Sequence, residues 1–250
     1  MKEKTLIISD LHCGDLCGLT PERLFDKRTV ITQKPLWEWY IGTLKKIGPV
    51  KNLILLGDLV DGPGNNNSVG HITTDTAYQR DIAIECIELV KTKNYIFNYG
   101  TPYHVTGSED WEKEIAKYFG AGIRDINYLD ICGHMVRTRH VVGRSDIPYG
   151  QGTQLYKEAV QDTIKAREEG AEPAEWYFHA HVHYCFRIGN YRQTVMSNPC
   201  LQTPGSIYGR KCRSTYYDIG MIEIQADKDG ICPIPHVMPK FVFRRKYEKY

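Results

Sequence analysis

Three histidines alternate in the segment 179–183, His-Ala-His-Val-His, directly after the apolar and aromatic run at 176–178. Side chains on an extended chain change face at each residue, so this spacing would place the three imidazoles on one face at the end of a strand. Imidazole is a ligand of zinc, iron and similar transition metals. An isolated pattern of this kind is more often an incidental strand sequence, and its meaning therefore depends on the rest of the chain.

Two further polar groups follow short apolar runs far upstream. Asp10 and His12 come after the run at 5–8, and Asp58 comes after the run at 53–56. Apolar runs of this length, ended by polar residues, predict buried strands followed by loops. In open α/β sheets, sites collect beyond the carboxyl ends of the strands, where these side chains are expected. Each aspartate alone could be a helix cap or turn residue, but their occurrence together with the three histidines favours a metal site.

The order of these motifs resembles that of the calcineurin-like metallophosphoesterases: Asp-x-His at 10–12, Gly-Asp-x-x-Asp at 57–61, a lone histidine, then His-x-His. The resemblance implies an α/β fold, a layered sandwich of two mixed β-sheets flanked by helices. It also implies a centre of two divalent or trivalent metal ions (Mn, Fe, Zn or Ni), where a metal-bound hydroxide hydrolyses a phosphomonoester or phosphodiester. A single zinc ion is disfavoured because the candidate ligands exceed its usual four.

The resemblance assigns roles residue by residue. The residues that match metal ligands are Asp10, His12, Asp58, His140, His181 and His183. Asp58 matches the carboxylate that bridges both ions and is therefore also a catalytic residue, whereas His140 and His181 match ligands of the second ion. Asp61 matches an acid that supports the site without binding metal. His179 lies outside the pattern, and an ordinary strand histidine is the better interpretation for it.

The chain departs from the family pattern after the predicted strand at 94–98. The family usually has Gly-Asn-His followed by an acid, in which Asn binds the second metal and His assists the leaving group. Here Thr101 follows Gly100, and the nearest histidine is His104. Thr101 could supply a hydroxyl or leave its place to water, and His104 could be the general acid or a ligand. Alternatively, the second site is weak and the chain is a binding or scaffold protein. We predict Thr101 as a metal ligand and His104 as catalytic.

Substrate contacts are expected from residues outside these motifs. Arg210 and Lys211 are candidates for binding phosphate. His71 lies in the Gly- and Asn-rich loop 62–74, which is typical of a substrate wall, although a solvated loop histidine is the commoner interpretation. The net charge of +2 indicates no strongly basic body, but the segment 241–250 mixes aromatic and basic residues. That composition suits nucleic acid, which is an open alternative beside a small phosphoester.

The rest of the sequence predicts the helices, the strands and the domain organisation of the chain. Helices are predicted at 35–47, 75–90 and 152–169, and strands at 134–142, 192–196, 216–224 and 241–244. Because the candidate ligands span residues 10 to 183, we predict a single domain over 1–250. The opening residues do not resemble a signal peptide, and no apolar run approaches the ~20 residues of a membrane span. We therefore expect a cytoplasmic protein, and its eight scattered cysteines favour free thiols.

Overall fold

The computed structural model describes residues 2–63, 70–102, 110–145, 147–205 and 217–239. In chain order its strands are β1 (Glu3–Ile8), β2 (Asn52–Leu56), β3 (Asn94–Asn98), β4 (Ile123–Arg124), β5 (Ile126–Ile131), β6 (His134–Arg139), β7 (Trp176–His179), β8 (Phe186–Gly189), β9 (Thr194–Ser197), β10 (Gly220–Asp227) and β11 (Gly230–Val237). Its helices are α1 (Val30–Ile47), α2 (Thr76–Glu88), α3 (Trp111–Tyr118) and α4 (Pro148–Glu169).

The strands in this part of the chain form two mixed sheets. The first has the order β11-β10-β1-β2-β3-β4, and the second has the order β5-β6-β7-β9-β8. In the first sheet β1 to β4 are parallel, and β10 and β11 are antiparallel to their neighbours. In the second sheet β6, β7 and β9 are parallel, with β5 and β8 antiparallel at the edges. The predicted pair of mixed sheets is confirmed.

The burial of alternate strand residues explains the layering. Ile7 and Ile54 of the first sheet pack against Val136 and Phe178 of the second, so the two sheets share an apolar interface. Since side chains alternate along a strand, the neighbours of Ile7 point to the opposite face of their sheet and meet the helices α1 and α2. The second sheet is covered in turn by α4, whose Leu155 belongs to a third apolar cluster. The predicted sandwich flanked by helices is therefore confirmed.

Two of the helix ends lie where the sequence predicts them, and the start of α1 does not. Asp75 caps α2 by accepting hydrogen bonds from the amides of Ala77 and Tyr78, as predicted. The α4 helix ends at Gly170, which has a left-handed φ of 68°, also as predicted. The prediction that the first helix starts at residue 35 was wrong, because it begins at Val30.

Asp26 accounts for the earlier start of α1. Its side chain accepts hydrogen bonds from the amides of Arg28 and Thr29, and its carbonyl accepts one from the amide of Val30. The first turn is thus organised before Pro35 is reached. The α4 helix likewise begins before residue 152, with Pro148 in its first turn, a favourable position for proline.

The strands predicted at 192–196 and 216–224 are present as β9 and β10, each shifted towards the C-terminus, and 241–244 lies outside the described residues. None of the helices described here has the length and hydrophobicity needed to cross a bilayer.

Candidate metal centre

The candidate ligands lie on loops that leave neighbouring parallel strands. Asp10 and His12 follow β1, and Asp58 follows β2. His140 follows β6, and the segment with His181 and His183 follows β7. Because parallel strands end at the same edge of a sheet, these four loop segments of the two sheets meet at one end of the sandwich.

The ligand atoms form two clusters of three. Asp10, His12 and His183 make up the first, and Asp58, His140 and His181 the second; within each cluster the ligand atoms lie within 4.8 Å of one another. In the first, His183 Nε2 lies 3.2 Å from Asp10 Oδ1. In the second, His140 Nε2 lies 3.0 Å from Asp58 Oδ2. The same His140 nitrogen lies 4.0 Å from Asp10 Oδ1, so the clusters adjoin.

Five of the six residues have a left-handed backbone. The φ angles are 50° at Asp10, 44° at His12, 51° at Asp58, 72° at His181 and 57° at His183. Such conformations cost of order 1 kcal/mol or more for residues with a Cβ, and they concentrate at functional sites. They explain why the expectation of three imidazoles on one extended face was wrong. His181 joins the second cluster and His183 the first, because the chain turns after β7 instead of continuing as a strand.

Backbone hydrogen bonds between two loops hold this strained conformation. The amide of Asp10 donates to the carbonyl of Gly57, and the amide of His12 donates to the carbonyl of Asp58, both at 3.0 Å. The amide of Cys13 donates to the carbonyl of Leu59 at 3.1 Å. The loops after β1 and β2 are therefore paired through their backbones, and the first and second clusters are fixed relative to each other.

Burial and charge make the centre suitable for cations. Asp10 is fully buried and Asp58 is 2% exposed. Burial opposes ionisation of Asp10, but the imidazoles of His183 and His140 outweigh it and lower the pKa of this carboxyl below its ordinary value. Burial likewise opposes charge on His140, but Asp58 outweighs it and raises the pKa of His140 to about 9. Two buried carboxylates surrounded by imidazoles fit a pair of borderline metal ions, which prefer mixed oxygen and nitrogen ligands.

Thr101 and Glu112 organise the second cluster. The amide of Thr101 donates to Asp58 Oδ1 at 2.6 Å, and its hydroxyl donates to the same oxygen at 3.0 Å. Glu112, on α3, accepts hydrogen bonds from the amides of Leu59 and Gly100. Burial and the nearby Asp58 raise the pKa of Glu112 to about 7. Glu112 was not predicted because α3 was not predicted; the available signal was the Asp110 cap, which accepts from the amide of Lys113.

Asp61 and His71 lie beside the first cluster. Asp61 Oδ1 is 3.0 Å from His12 Nδ1, and Asp61 Oδ2 is 2.8 Å from His71 Nε2. His71 is only 7% exposed, so the interpretation of a solvated loop histidine was wrong. His71 lies against a carboxylate that contacts a candidate ligand, and its contact with substrate stays a prediction.

The other histidines that the structure describes lie apart from both clusters. His179 is fully buried, and its burial together with Arg137 and Arg139 lowers its pKa to about 3, so it is neutral. His134 contacts Glu175 at 3.1 Å and His236 contacts Glu223 at 2.9 Å, both through their rings. The structure thus brings His140, and not His134, to the centre.

Three predicted site residues fall on parts of the chain that are not described. The predicted catalytic residue His104 and the predicted phosphate-binding residues Arg210 and Lys211 lie outside the described residues, as does the basic and aromatic segment 241–250.

Comparisons with known proteins give structural matches only. No protein-family model and no curated protein sequence matches this chain. A zinc-bound Vps29 from Entamoeba histolytica matches with 10% identity and a TM-score of 0.48, over 94% of this chain and 98% of that one. An archaeal phosphodiesterase matches with 15% identity and a TM-score of 0.46, over 93% and 99%. A predicted phosphoesterase from Streptococcus pneumoniae matches with 10% identity and a TM-score of 0.41, over 94% and 99%.

These neighbours have the calcineurin-like metallophosphoesterase fold, the fold that the sequence motifs predict. At such low identities and TM-scores, the likeness says nothing about activity, substrate or partner.

Proposed function

We propose that this protein is a metal-dependent phosphoester hydrolase with a dinuclear centre, acting on a phosphomonoester or phosphodiester. The observation that carries the proposal is the pair of adjoining buried clusters, each with one aspartate and two histidines. Two such clusters provide six ligands, more than one ion uses. The motif order in the sequence supports the same assignment.

Each cluster would hold one ion. Asp10, His12 and His183 would bind the first, and Asp58, with His140 and His181, would bind the second. Asp58 would also serve the first ion, a role that rests on the family resemblance, and its cluster adjoins Asp10 through His140. When bound, a metal pair neutralises phosphoryl oxygens and lowers the pKa of water to near neutrality. The ligand set favours manganese, iron, zinc or nickel over calcium.

The protein's own residues would prepare the site for these ions. His140 holds a proton at neutral pH in the metal-free protein, because its pKa is about 9, and must release it to become a ligand. The Thr101 amide and hydroxyl orient Asp58, and Thr101 is also our proposed ligand at the place of the family's asparagine. We propose His104 as the group that protonates the leaving oxygen, and Arg210 and Lys211 as phosphate contacts, on the sequence pattern alone.

The proposal is tested with the purified full-length chain and manganese. Hydrolysis of an aryl phosphomonoester and an aryl phosphodiester should be measured for the wild type, for Asp58→Asn and for His134→Ala. We expect turnover of at least one ester by the wild type, a loss of about 100-fold or more in Asp58→Asn, and full activity in His134→Ala, whose ring contacts Glu175 away from the centre. Full activity in Asp58→Asn would refute the assignment.

A second function is favoured by one observation. Thr101 replaces the asparagine of the family pattern, and its hydroxyl is directed to Asp58. A weakened second site would suit a binding or scaffold protein that keeps the fold. Fewer than two ions bound per chain in elemental analysis, with no turnover of any ester in a broad panel that includes nucleotides and oligonucleotides, would support this alternative. We also propose a cytoplasmic location, supported by the free thiols of the described cysteines.

A further inference from the structure

We infer that His71 is a positioning residue of the metal centre, which acts on His12 through Asp61. The inference rests on the proposed function insofar as it takes the first cluster to be a metal site. Its basis is the Asp61 carboxylate, which lies between two imidazoles, with one oxygen 3.0 Å from His12 Nδ1 and the other 2.8 Å from His71 Nε2. The side chains of the two histidines are 7% and 6% exposed and that of Asp61 is 16% exposed, so these contacts are largely shielded from water.

The contact with Asp61 determines which nitrogen of His12 can bind a cation. A neutral imidazole that donates its Nδ1 proton to a carboxylate presents Nε2 as an acceptor. Asp61 therefore selects the tautomer of His12 and fixes the plane of its ring. Metal-binding histidines commonly have such a carboxylate partner, and its loss weakens metal affinity.

The second oxygen of Asp61 is where His71 acts. Rotation of the Asp61 carboxylate about its Cβ–Cγ bond moves both oxygens and would break the contact with His12. The Nε2 of His71 lies 2.8 Å from the other oxygen, and this second contact opposes the same rotation. Asp61 is thereby held in the orientation that meets His12. Without His71, Asp61 could turn away from His12 or compete with it for the cation.

The backbone around His71 is rigidly paired with the segment that follows His12. Residue 71 forms an antiparallel bridge with Asp15. The amide of Leu16 donates to the carbonyl of Gly70 at 2.9 Å, and the amide of Ile72 donates to the carbonyl of Gly14 at 2.7 Å. The position of the His71 ring is therefore tied to the same loop that carries Asp10 and His12.

Gln79 of α2 holds the flanking segments in place. Its Nε2 donates to the carbonyls of Gly62 and Thr73, at 2.9 and 2.8 Å, and its Oε1 accepts from the amide of Gly62 at 2.8 Å. Gln79 is fully buried, and Gly14 approaches it so closely that a Cβ at Gly14 would lie 2.4 Å from its side chain. Gln79 therefore fixes the backbone segments that follow Asp61 and His71.

The test uses Mn²⁺ alone as the probe, with titration calorimetry on the metal-free full-length chain. His71→Phe keeps a ring of similar size but removes the nitrogen that contacts Asp61, whereas His71→Gln keeps a donor. We expect His71→Phe to weaken Mn²⁺ binding at the first cluster about 10- to 100-fold and His71→Gln to restore most of that loss. His134→Ala is the matched control and should bind as the wild type does. His71→Ala repeats the test should the Phe variant fail to fold.

A double-mutant cycle establishes whether His71 acts through Asp61. Asp61→Ala should weaken Mn²⁺ binding, and adding His71→Phe to it should cause no more than about a twofold further loss. Losses that multiply in the double variant would overturn the inference, as would an unchanged Mn²⁺ affinity in both His71→Phe and His71→Ala. Retained Mn²⁺ affinity with lost hydrolysis would instead assign His71 to substrate contact, and would also overturn it. Because binding is measured without turnover, a protein that binds Mn²⁺ but hydrolyses nothing would refute the proposed function and leave this inference testable.

Discussion

The backbone amide and the hydroxyl of Thr101 both donate to the same carboxylate oxygen of Asp58, at 2.6 and 3.0 Å. Thr101 is 6% exposed and Asp58 is 2% exposed, so water cannot readily replace either hydrogen bond. A hydroxyl at this position therefore orients the carboxylate, whether or not it also binds an ion. Substitutions at Thr101 therefore test most directly how the centre works without the asparagine of the family pattern.

Replacing Thr101 with valine should weaken Mn²⁺ binding at the second cluster by about tenfold, because loss of a hydrogen-bonding partner of a metal ligand typically has that effect. Valine keeps the shape and the amide but removes the hydroxyl. Thr101→Ser, which keeps the hydroxyl, is the control and should bind nearly as well as the wild type. Titration calorimetry with Mn²⁺ measures both. Equal affinities in the valine and serine variants would show that the hydroxyl has no part in the centre.

The metal-free protein should lose stability with rising pH because of His140. Asp58 outweighs the effect of burial and raises the pKa of His140 to about 9, above the value of about 6.5 in an unfolded chain. For a base whose pKa is raised by folding, the stabilising contribution is fully present below the unfolded pKa and is lost as the pH rises through the folded pKa. The loss should therefore fall between about pH 6.5 and about pH 9.

Denaturant unfolding in the presence of a chelator, repeated across this pH range for the wild type and His140→Gln, isolates that contribution. The free-energy difference between the two proteins should be larger at pH 6 than at pH 9.5. A difference that stays constant with pH would mean that folding does not raise the pKa of His140. Saturating Mn²⁺ should reverse the trend for the wild type, since metal binding requires the neutral imidazole.

The candidate metal ligands could be predicted from the sequence because their positions depend on strand ends. An apolar run of strand length followed by a polar residue is a local signal, and parallel pairing then brings remote residues such as Asp10 and Asp58 to the same edge. That His181 and His183 belong to different clusters could not be predicted in this way. Alternation predicts a shared face, but His181 and His183 have left-handed backbones that depend on tertiary packing.

Residues that support the centre were harder to identify for a similar reason. His71 is buried by an antiparallel bridge to Asp15, a contact between segments that neither propensity nor periodicity indicates. Glu112 lies on α3, an eight-residue helix whose apolar pattern is too short to stand out. Its function depends on hydrogen bonds to amides of two other loops, so it becomes apparent only in three dimensions.

Replacing Glu112 with alanine should destabilise the protein by about 2–6 kcal/mol, because the buried amide of Leu59 and the part-buried amide of Gly100 would lose their acceptors, at about 1–3 kcal/mol for each group. Both amides belong to the loops that flank Asp58, so Mn²⁺ affinity should fall as well. Glu114→Ala, at an exposed position on the same helix, should change the stability by no more than about 0.5 kcal/mol. Urea unfolding measures both, and comparable losses in the two variants would contradict a specific role for Glu112.

Substituting Gly100 with alanine should disrupt the centre through steric exclusion. A Cβ at Gly100 would lie 2.3 Å from both the amide nitrogen and Oδ1 of Asp58, and 2.9 Å from Glu112 Oε1. No side-chain rotation can relieve the contact with the Asp58 backbone, so the loop after β2 must move. We expect a loss of about 1–3 kcal/mol in the free energy of unfolding, together with weaker Mn²⁺ binding at the second cluster.

Gly122→Ala provides the matched control for this substitution, because a Cβ at Gly122 would have no heavy atom within 4 Å. It lies outside the helices and strands, a little beyond α3, and makes the same chemical change at an open position. Calorimetry and urea unfolding should find Gly122→Ala close to the wild type in both Mn²⁺ affinity and stability. If Gly100→Ala matched it in both measurements, the close approach of the two loops would not be needed to position Asp58. Such a result would weaken the case that the strained conformation at Asp58 exists to hold a metal ion.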